Sequence, residues 1–192
     1  GLEHTVITGG MESMSNAPHY VSLRKPVKLG PVAFTDAILK DGLTDAYNQL
    51  HMGNAAEKCV RKFQLTREQQ DAYAIESYRR VVAATQSGKF RNEIVGVSVN
   101  QKSGTLMITE DEDIYKLVPE KIGTLVPAFE SGGTITAANA SNLNDAGAAI
   151  LLVSEEMLRE KGLKPLARIV SYADAAQEPD WFTTSPALAI PK

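Results

Sequence analysis

The middle of the chain carries its clearest helical pattern. From His51 onward, apolar residues recur at spacings of three and four, with Ala56, Cys59, Val60 and Phe63 on one stripe. A stripe of this width is typical of a helix that covers a core. The pattern therefore predicts a helix that begins near His51.

A second helix is predicted from its start and stop signals. Thr66 and Gln69 form a capping box, in which each side chain can pair with the backbone of the other. Gly88 is a typical residue just beyond a helix C-terminus. One face of the intervening segment carries Ala74, Tyr78, Val81, Val82 and Thr85.

Strand patterns surround these helices and predict a mixed α/β chain. We expect the first strand to end in a turn at Gly9-Gly10, and residues 14–143 to form an excursion between two core strands. The return strand at 147–153 is expected in a parallel-rich sheet with upstream neighbours. Predicted strands cover residues 1–10, 93–99, 104–108, 147–153 and 165–172, and short helices cover 33–40 and 154–161.

Residues 137–149 form a stretch in which only Leu143 is bulky. Small residues allow a backbone to approach a ligand or another backbone closely, and Asn139 and Ser141 add short polar groups. Two interpretations follow: a loop that presents main chain to a small molecule, or close backbone packing. The residues alone leave both open.

Composition excludes several classes of function. The formal net charge is −3, from 20 basic and 23 acidic residues that are intermixed, which favours neither a nucleic-acid partner nor a polybasic membrane patch. No apolar run reaches the roughly 18 residues of a membrane span. The single cysteine, Cys59, excludes an internal disulfide and lies on a helix stripe, where a packed thiol is favoured over a nucleophile. His51, at a helix start, is favoured as a neutral structural histidine.

Several motifs occur together and in order: Gly9-Gly-Met-Glu-Ser-Met-Ser-Asn-Ala-Pro18, Lys40-Asp-Gly-Leu-Thr-Asp45, His51-Met-Gly53, Asn139-Ala-Ser-Asn-Leu-Asn-Asp145 and Ala167-Arg-Ile-Val170. Together they closely resemble the thiolase family, and within it the acetyl-CoA acetyltransferases of animal mitochondria. The resemblance covers essentially the whole chain. It implies an α/β thiolase fold with a layered αβαβα core.

The resemblance also implies how the chain is organised. Residues 1–13 would end the N-terminal half before the loop domain, and 14–143 would be the loop domain that binds coenzyme A and forms tetramer contacts. Residues 144–163 would return to the N-terminal half, and 164–192 would start the C-terminal half. Because the chain starts in a strand without Met and stops in an apolar segment, we expect an internal piece of a longer subunit.

Family members condense two acetyl-CoA into acetoacetyl-CoA and CoA, or catalyse the reverse thiolysis, through an acyl-cysteine. By this resemblance the nucleophilic cysteine belongs upstream of Gly1, and the catalytic histidine and second cysteine belong downstream of Lys192. Cys59 matches neither cysteine. The chain alone is therefore expected to be inactive and prone to aggregation. The alternative is a non-catalytic, truncated thiolase that only binds CoA or assembles with complete subunits.

The resemblance implies the following binding residues. His51 and Met52 match the active-site floor, Ser141 matches the serine that hydrogen-bonds pantetheine, and Lys121 matches a lysine near the CoA phosphates. A potassium ion is also implied. The CoA-binding set is Tyr78, Leu117, Val118, Lys121 and Ser141, and the potassium set is Tyr78, Ala137, Ala138 and Ala140.

Two departures from the family pattern affect substrates. Leu117 stands where the family has an arginine near the adenosine end of CoA, and Phe182-Thr183 stands where the mitochondrial branch has Phe-Pro. The first is expected to lower affinity for CoA, and the second puts branched substrates in question. The resemblance further implies a homotetramer and a mitochondrial location, with the cytoplasm as the alternative.

Overall fold

The computed structural model describes residues 3–25 and 27–192, so the start of the strand predicted at 1–10 and Pro26 lie outside it. The chain divides into two compact units, residues 1–55 with 142–192, and residues 56–141. In chain order the strands are β1 (Thr5–Ser13), β2 (His19–Tyr20), β3 (Thr35–Asp36), β4 (Val97–Gln101), β5 (Gly104–Ile108) and β6 (Asp145–Val153). The helices are α1 (Met52–Phe63), α2 (Arg67–Gln86), α3 (Pro119–Ile122), α4 (Glu155–Glu160) and α5 (Ser185–Ala189).

The first unit is built on β1 and β6, which pair antiparallel from Thr5↔Val153 to Ser13↔Asp145. The return strand is thus confirmed in position, whereas the parallel-rich sheet expected from upstream neighbours stays a prediction. The expected turn at Gly9-Gly10 is also wrong, because β1 continues through both glycines. A Cβ added to Gly9 would lie 2.3 Å from the carbonyl oxygen of Ala148. The small residues on both strands therefore permit a close backbone contact.

Asp145 fixes the turn that follows β1. Its carboxylate accepts hydrogen bonds from the backbone N–H of Ser15, at 2.9 Å, and from the Ser15 hydroxyl. These hydrogen bonds from Ser15, the hydroxyl first, lower the pKa of Asp145 below its usual value. The second part of the small-residue stretch, from Asp145 on, therefore lies in strand β6 and serves close backbone packing. The ligand interpretation concerns the part before it.

The segment predicted as a helix over 33–40 has a different structure. Thr35 and Asp36 form β3 and pair with β2, and a single π-helical turn follows at Ile38–Leu43. Asp36 Oδ1 accepts a hydrogen bond from the N–H of Ile38 at 2.8 Å. This side chain satisfies a donor at the helix start, so the residues before it stay extended.

The second unit contains the buried apolar core. The core residues of the described chain are Val60, Ala74, Ile114, Ile122 and Ile135, all within 56–141. The helices predicted from His51 and from Thr66 are confirmed as α1 and α2. Gly88, just beyond α2, has φ +71°, as a glycine at a helix C-terminus commonly does. The apolar stripe of α1 is only partly buried, since Cys59 is half-buried and Phe63 is exposed.

The capping box of α2 is confirmed in both directions. Thr66 Oγ1 accepts from the N–H of Gln69 at 3.2 Å, and Gln69 Oε1 accepts from the N–H of Thr66 at 2.9 Å. Thr66→Ala is expected to lower the free energy of unfolding by about 1 kcal/mol, because the N–H of Gln69 loses its acceptor. The midpoint of urea unfolding would measure this. Thr66→Ser keeps the oxygen and should stay close to the parent, and an equal loss in both variants would contradict the capping role.

Strand predictions outside the first unit's sheet had mixed outcomes. Residues 104–108 are confirmed as β5, and 154–161 is confirmed as α4 with Ser154 as its N-cap. The strand predicted at 93–99 begins later, at Val97, because the N–H groups of Glu93 and Ile94 both donate to the carbonyl of Phe90 and keep that region turned. The strand predicted at 165–172 is wrong, since these residues pair with no strand in the described chain. The relative solvent exposure of Leu166 is 105% and that of Tyr172 is 91%.

Candidate functional site

The small-residue loop folds into a tight turn at residues 136–140. The carbonyl of Thr136 accepts from the N–H groups of Asn139, at 3.2 Å, and Ala140, at 2.9 Å. The Thr136 hydroxyl accepts from the N–H of Ala138, and the N–H of Thr136 itself donates to Asn139 Oδ1 at 2.8 Å. Thr136 is fully buried. The turn therefore provides acceptors for four of its five backbone N–H groups, those of Thr136, Ala138, Asn139 and Ala140.

A buried carboxylate holds the residues just before this turn. Glu57 lies in α1 and is 1% exposed. Its Oε1 accepts from the N–H groups of Thr134 and Ile135, both at 2.8 Å, and its Oε2 lies 3.2 Å from the Thr134 hydroxyl. A Cβ added to Gly133 would lie 2.5 Å from Glu57 Oε1, so the loop needs glycine there. Charge-assisted hydrogen bonds offset part of the cost of burying this carboxylate.

A second polar group connects the loop to α2. Asn139 Nδ2 donates to Asp71 Oδ1 at 2.9 Å and to the carbonyl of Thr134 at 3.3 Å. Asp71 Oδ2 accepts from Arg67 Nε at 2.7 Å, and the Asp71 residue is 7% exposed. The other two Arg67 nitrogens donate to the carbonyls of Ile122, at 2.6 Å, and Leu125, at 3.1 Å. One guanidinium thus ties α2 to the segment after α3.

Four oxygen atoms of the loop receive no hydrogen bond from the described residues, and we call them its acceptor edge. In the described part of the chain, no donor reaches the carbonyl oxygens of Ala137, Ala138 and Ala140, and the Ser141 hydroxyl likewise has no partner. Ala137 and Ser141 are exposed, and the other two are half-buried. The loop therefore keeps these four oxygen atoms without a hydrogen bond, whereas six of the eight backbone N–H groups of residues 134–141 have acceptors. Within residues 3–25 and 27–192, no three His, Cys, Asp or Glu side chains cluster as metal ligands, so a cation here would depend on these oxygens.

Tyr78 and the 113–121 segment lie side by side in the same unit. The 3₁₀ turn Asp113–Tyr115 packs against α2. The hydrogen bond and charge of Asp113 raise the pKa of Lys116, and the Tyr78 phenol is close enough to add to the shift. Leu117 is half-buried, whereas Val118 and Lys121 are exposed. The Lys121 ammonium has no carboxylate partner in the described chain, so this cation is open to an anionic ligand.

His51 and Met52 belong to the first unit and are half-buried. His51 Nδ1 accepts from the N–H of Gly53 at 2.9 Å, which places the hydrogen of the neutral ring on Nε2. The residue at the family's Phe-Pro position is also in this unit. The Thr183 hydroxyl there is buried without a partner among the described residues.

Comparison with known proteins shows which family the chain belongs to. Residues 1–156 match the family described as thiolase, N-terminal domain. The chain belongs to the thiolase family. It is similar to acetyl-CoA acetyltransferase 2 of Arabidopsis thaliana, at 50% identity over all of this chain and 49% of that protein. It is also similar to the mitochondrial acetyl-CoA acetyltransferase of Bos taurus, at 46% identity over all of this chain and 46% of that protein.

The fold agrees with this assignment. The crystal structure of Acat5 thiolase from Ascaris suum in complex with coenzyme A superposes with a TM-score of 0.92 and 48% identity, over all of this chain and 49% of that one. The predicted thiolase fold is thereby confirmed. This thiolase chain spans about half the length of the curated relatives it matches. None of its described helices is both long and apolar enough to cross a bilayer.

Sequence reasoning missed the residues that hold the thiolase loop in place, namely Glu57, Arg67 and Asp71. A signal for two of them was present. Asp71 precedes Ala74 by three positions, on the face of α2 predicted to be buried, and Glu57 precedes Val60 by three positions in α1. A carboxylate on an apolar helix face is expected to have a specific partner.

Proposed function

We propose that this chain is part of an acetyl-CoA C-acetyltransferase that condenses two acetyl-CoA into acetoacetyl-CoA and CoA, or catalyses the reverse thiolysis. The observation that carries the proposal is the loop over residues 134–141. Most of its backbone N–H groups have acceptors, on the loop itself or on Glu57, whereas the carbonyls of Ala137, Ala138 and Ala140 accept no hydrogen bond in the described chain. Membership in the thiolase family and the names of the relatives support the reaction class.

In this proposal the chain supplies CoA-binding groups and no catalytic cysteine. The Ser141 hydroxyl hydrogen-bonds the pantetheine arm, and the Lys121 ammonium pairs with CoA phosphate. Leu117 and Val118 contact CoA through apolar side chains, and Tyr78 adds its ring and hydroxyl. Cys59 is half-buried inside α1, which supports a packing role for it. The catalytic cysteines and histidine are supplied by sequence outside residues 1–192.

His51 and Met52 would form the floor of the acyl site. The hydrogen bond from Gly53 to Nδ1 places the hydrogen of the neutral ring on Nε2, and in this proposal Nε2–H donates to a substrate oxygen. A donor of this kind can polarise a thioester carbonyl without carrying charge.

A potassium ion fits the acceptor edge of the loop. Hard monovalent cations prefer oxygen ligands, and the carbonyls of Ala137, Ala138 and Ala140 accept no hydrogen bond in the described chain. With Tyr78 they would hold the ion, which would supply a fixed positive charge beside the CoA site. We further propose a homotetramer located in the mitochondrion, with the cytoplasm as the alternative compartment.

The decisive test is thiolysis of acetoacetyl-CoA by the complete protein that contains this chain, in buffers with potassium or sodium. Loss of acetoacetyl-CoA that depends on added CoA and is faster in potassium would support the enzyme and its ion. Tight CoA binding without turnover would favour the non-catalytic thiolase instead. Neither binding nor turnover would contradict both.

Lys121→Met is expected to weaken CoA binding about tenfold, because one charged contact to phosphate is lost. Isothermal titration of CoA into the complete protein would measure the change. Lys102→Met is the matched control, because Lys102 is also an exposed lysine of residues 56–141 and lies in the turn between β4 and β5. Equal losses in the two variants would indicate a general charge effect and contradict a specific phosphate contact.

A further inference from the structure

The backbone N–H groups of the loop that have acceptors donate to three residues: Thr136, Asn139 and Glu57. Of these, only Glu57 lies far from the loop in sequence. Asn139 and Thr136 serve the turn locally. Glu57 reaches it from α1 and engages the N–H groups of Thr134 and Ile135, 77 and 78 positions further along the chain. Gln70 Nε2 also donates to the Thr134 hydroxyl and the N–H of Ala128 to the carbonyl of Ile135, but the N–H groups of residues 134 and 135 have Glu57 as their acceptor.

Glu57 has no cationic partner in the described chain. Among the described residues, no Lys, Arg or His lies within ion-pair distance of its carboxylate, and its hydrogen bonds all come from residues 134 and 135. A carboxylate that is 1% exposed is costly to bury. Since it forms no salt bridge, its hydrogen bonds to the loop are what keep it there. The buried position of Glu57 therefore depends on its contact with the loop.

The acceptor edge depends on the Glu57 contact through the planar peptide groups that lead into the turn. Peptide groups are planar, so fixing the N–H groups of residues 134 and 135 fixes the plane of the peptides that lead into the turn. Thr136 then places its carbonyl under the N–H groups of Asn139 and Ala140. The carbonyls of Ala137 and Ala138 follow directly in the chain and accept no hydrogen bond in the described residues.

We propose that Glu57 is a positioning residue that preorganises the acceptor edge of residues 137–141 for its ligand, without touching the ligand itself. The ligand rests on the proposed function: it is a coenzyme A thioester, bound by Ser141 and by the potassium ion proposed at the carbonyls of the same edge. Glu57 acts through the backbone, so its replacement changes affinity for the thioester and leaves the chemical step nearly intact.

Two substitutions distinguish positioning from charge. Glu57→Ala removes the acceptor, and we expect the KM for acetoacetyl-CoA to rise about tenfold with kcat changed less than about threefold. Glu57→Gln keeps an oxygen that can accept from both N–H groups, so its KM should stay within about threefold of the parent. Glu93→Ala is the control, because Glu93 is an exposed glutamate of the same unit.

Gly133→Ala offers a second route to the same contact. The added Cβ would lie 2.5 Å from Glu57 Oε1 and displace the carboxylate. The KM of Gly133→Ala should rise as in Glu57→Ala. The KM of the double variant Glu57→Ala with Gly133→Ala should be no higher than that of Glu57→Ala alone, because the carboxylate that Gly133→Ala displaces is already gone. Additive losses would show that the two residues act independently and would overturn the proposal.

Hydrogen exchange tests the positioning role independently of CoA. In the complete protein, the amides of Thr134 and Ile135 should exchange about 10- to 100-fold faster in Glu57→Ala, with α2 amides unchanged. Unchanged exchange at 134–135 would overturn the proposal even if the protein is an active thiolase. Faster exchange in a protein that does not bind CoA would retain the positioning role and contradict the proposed function. A lower kcat at unchanged KM, or a Glu57→Gln as impaired as Glu57→Ala, would also overturn it.

Discussion

Arg67→Met is expected to lower the local unfolding free energy of α2 by about 3–5 kcal/mol, because removing one partner of a buried ion pair leaves the other charge unpaired. The Arg67 and Asp71 side chains are only 19% and 10% exposed. The substitution also removes the donors to the carbonyls of Ile122 and Leu125. Met has a similar volume, so the loss of polar contacts dominates over cavity formation.

Hydrogen exchange of α2 amides in the complete protein would measure the loss, because it reports the free energy of local opening. Arg80→Met is the matched control in the same helix. Arg80 pairs with Glu76 at the surface, where its side chain is 75% exposed, and an exposed pair contributes little. Equal exchange in the two variants would contradict the buried-pair interpretation.

The double variant Arg67→Met with Asp71→Leu separates charge from packing. Replacing both members of a buried pair by apolar groups is often neutral, so the double variant should recover part of the stability lost in Arg67→Met. Recovery will be incomplete, since Asn139 Nδ2 then loses its Asp71 acceptor. A double variant less stable than Arg67→Met would show that Asp71 contributes mainly through Asn139.

Local signals predicted the helices well. The stripe from Ala56 to Phe63 and the Thr66 capping box depend on residues three or four positions apart, and such neighbours meet on a helix whatever surrounds it. The resemblance to thiolases then predicted the fold. The individual binding residues, including Ser141 and Lys121, remain predictions.

Contacts between distant residues could not be read from these patterns. The strand predicted at 165–172 has the composition of a strand, but a strand also requires a partner to receive its hydrogen bonds, and the described chain offers none. Likewise, Glu57 resembles any helix glutamate until the loop at 134–135 is brought to it. The packing interpretation of the small-residue stretch is confirmed for one part of it, and the ligand interpretation stays a prediction for the other. The part from Asp145 on packs against β1, whereas the part before it forms the loop with open acceptors.

Gly9→Ala is expected to lower the local stability of the β1–β6 pair by about 2–3 kcal/mol, in the upper range for overpacking a tight contact. The added Cβ would lie 2.3 Å from the carbonyl oxygen of Ala148 and 3.1 Å from Cα of Ala149. Both atoms belong to backbone, so no side chain can rotate to relieve the clash. The strands must separate or shift register, and a shift by one residue would move every side chain of β1 to the opposite face.

Gly10→Ala is the matched control, because an added Cβ at the next residue of the same strand meets nothing within 4 Å. Hydrogen exchange of β6 amides in the complete protein should accelerate in Gly9→Ala and stay the same or slow in Gly10→Ala, where alanine also reduces the entropy of the unfolded chain. Equal protection in both variants would mean that β1 and β6 can separate slightly at low cost. The small residues at 146–149 would then need an explanation other than close approach.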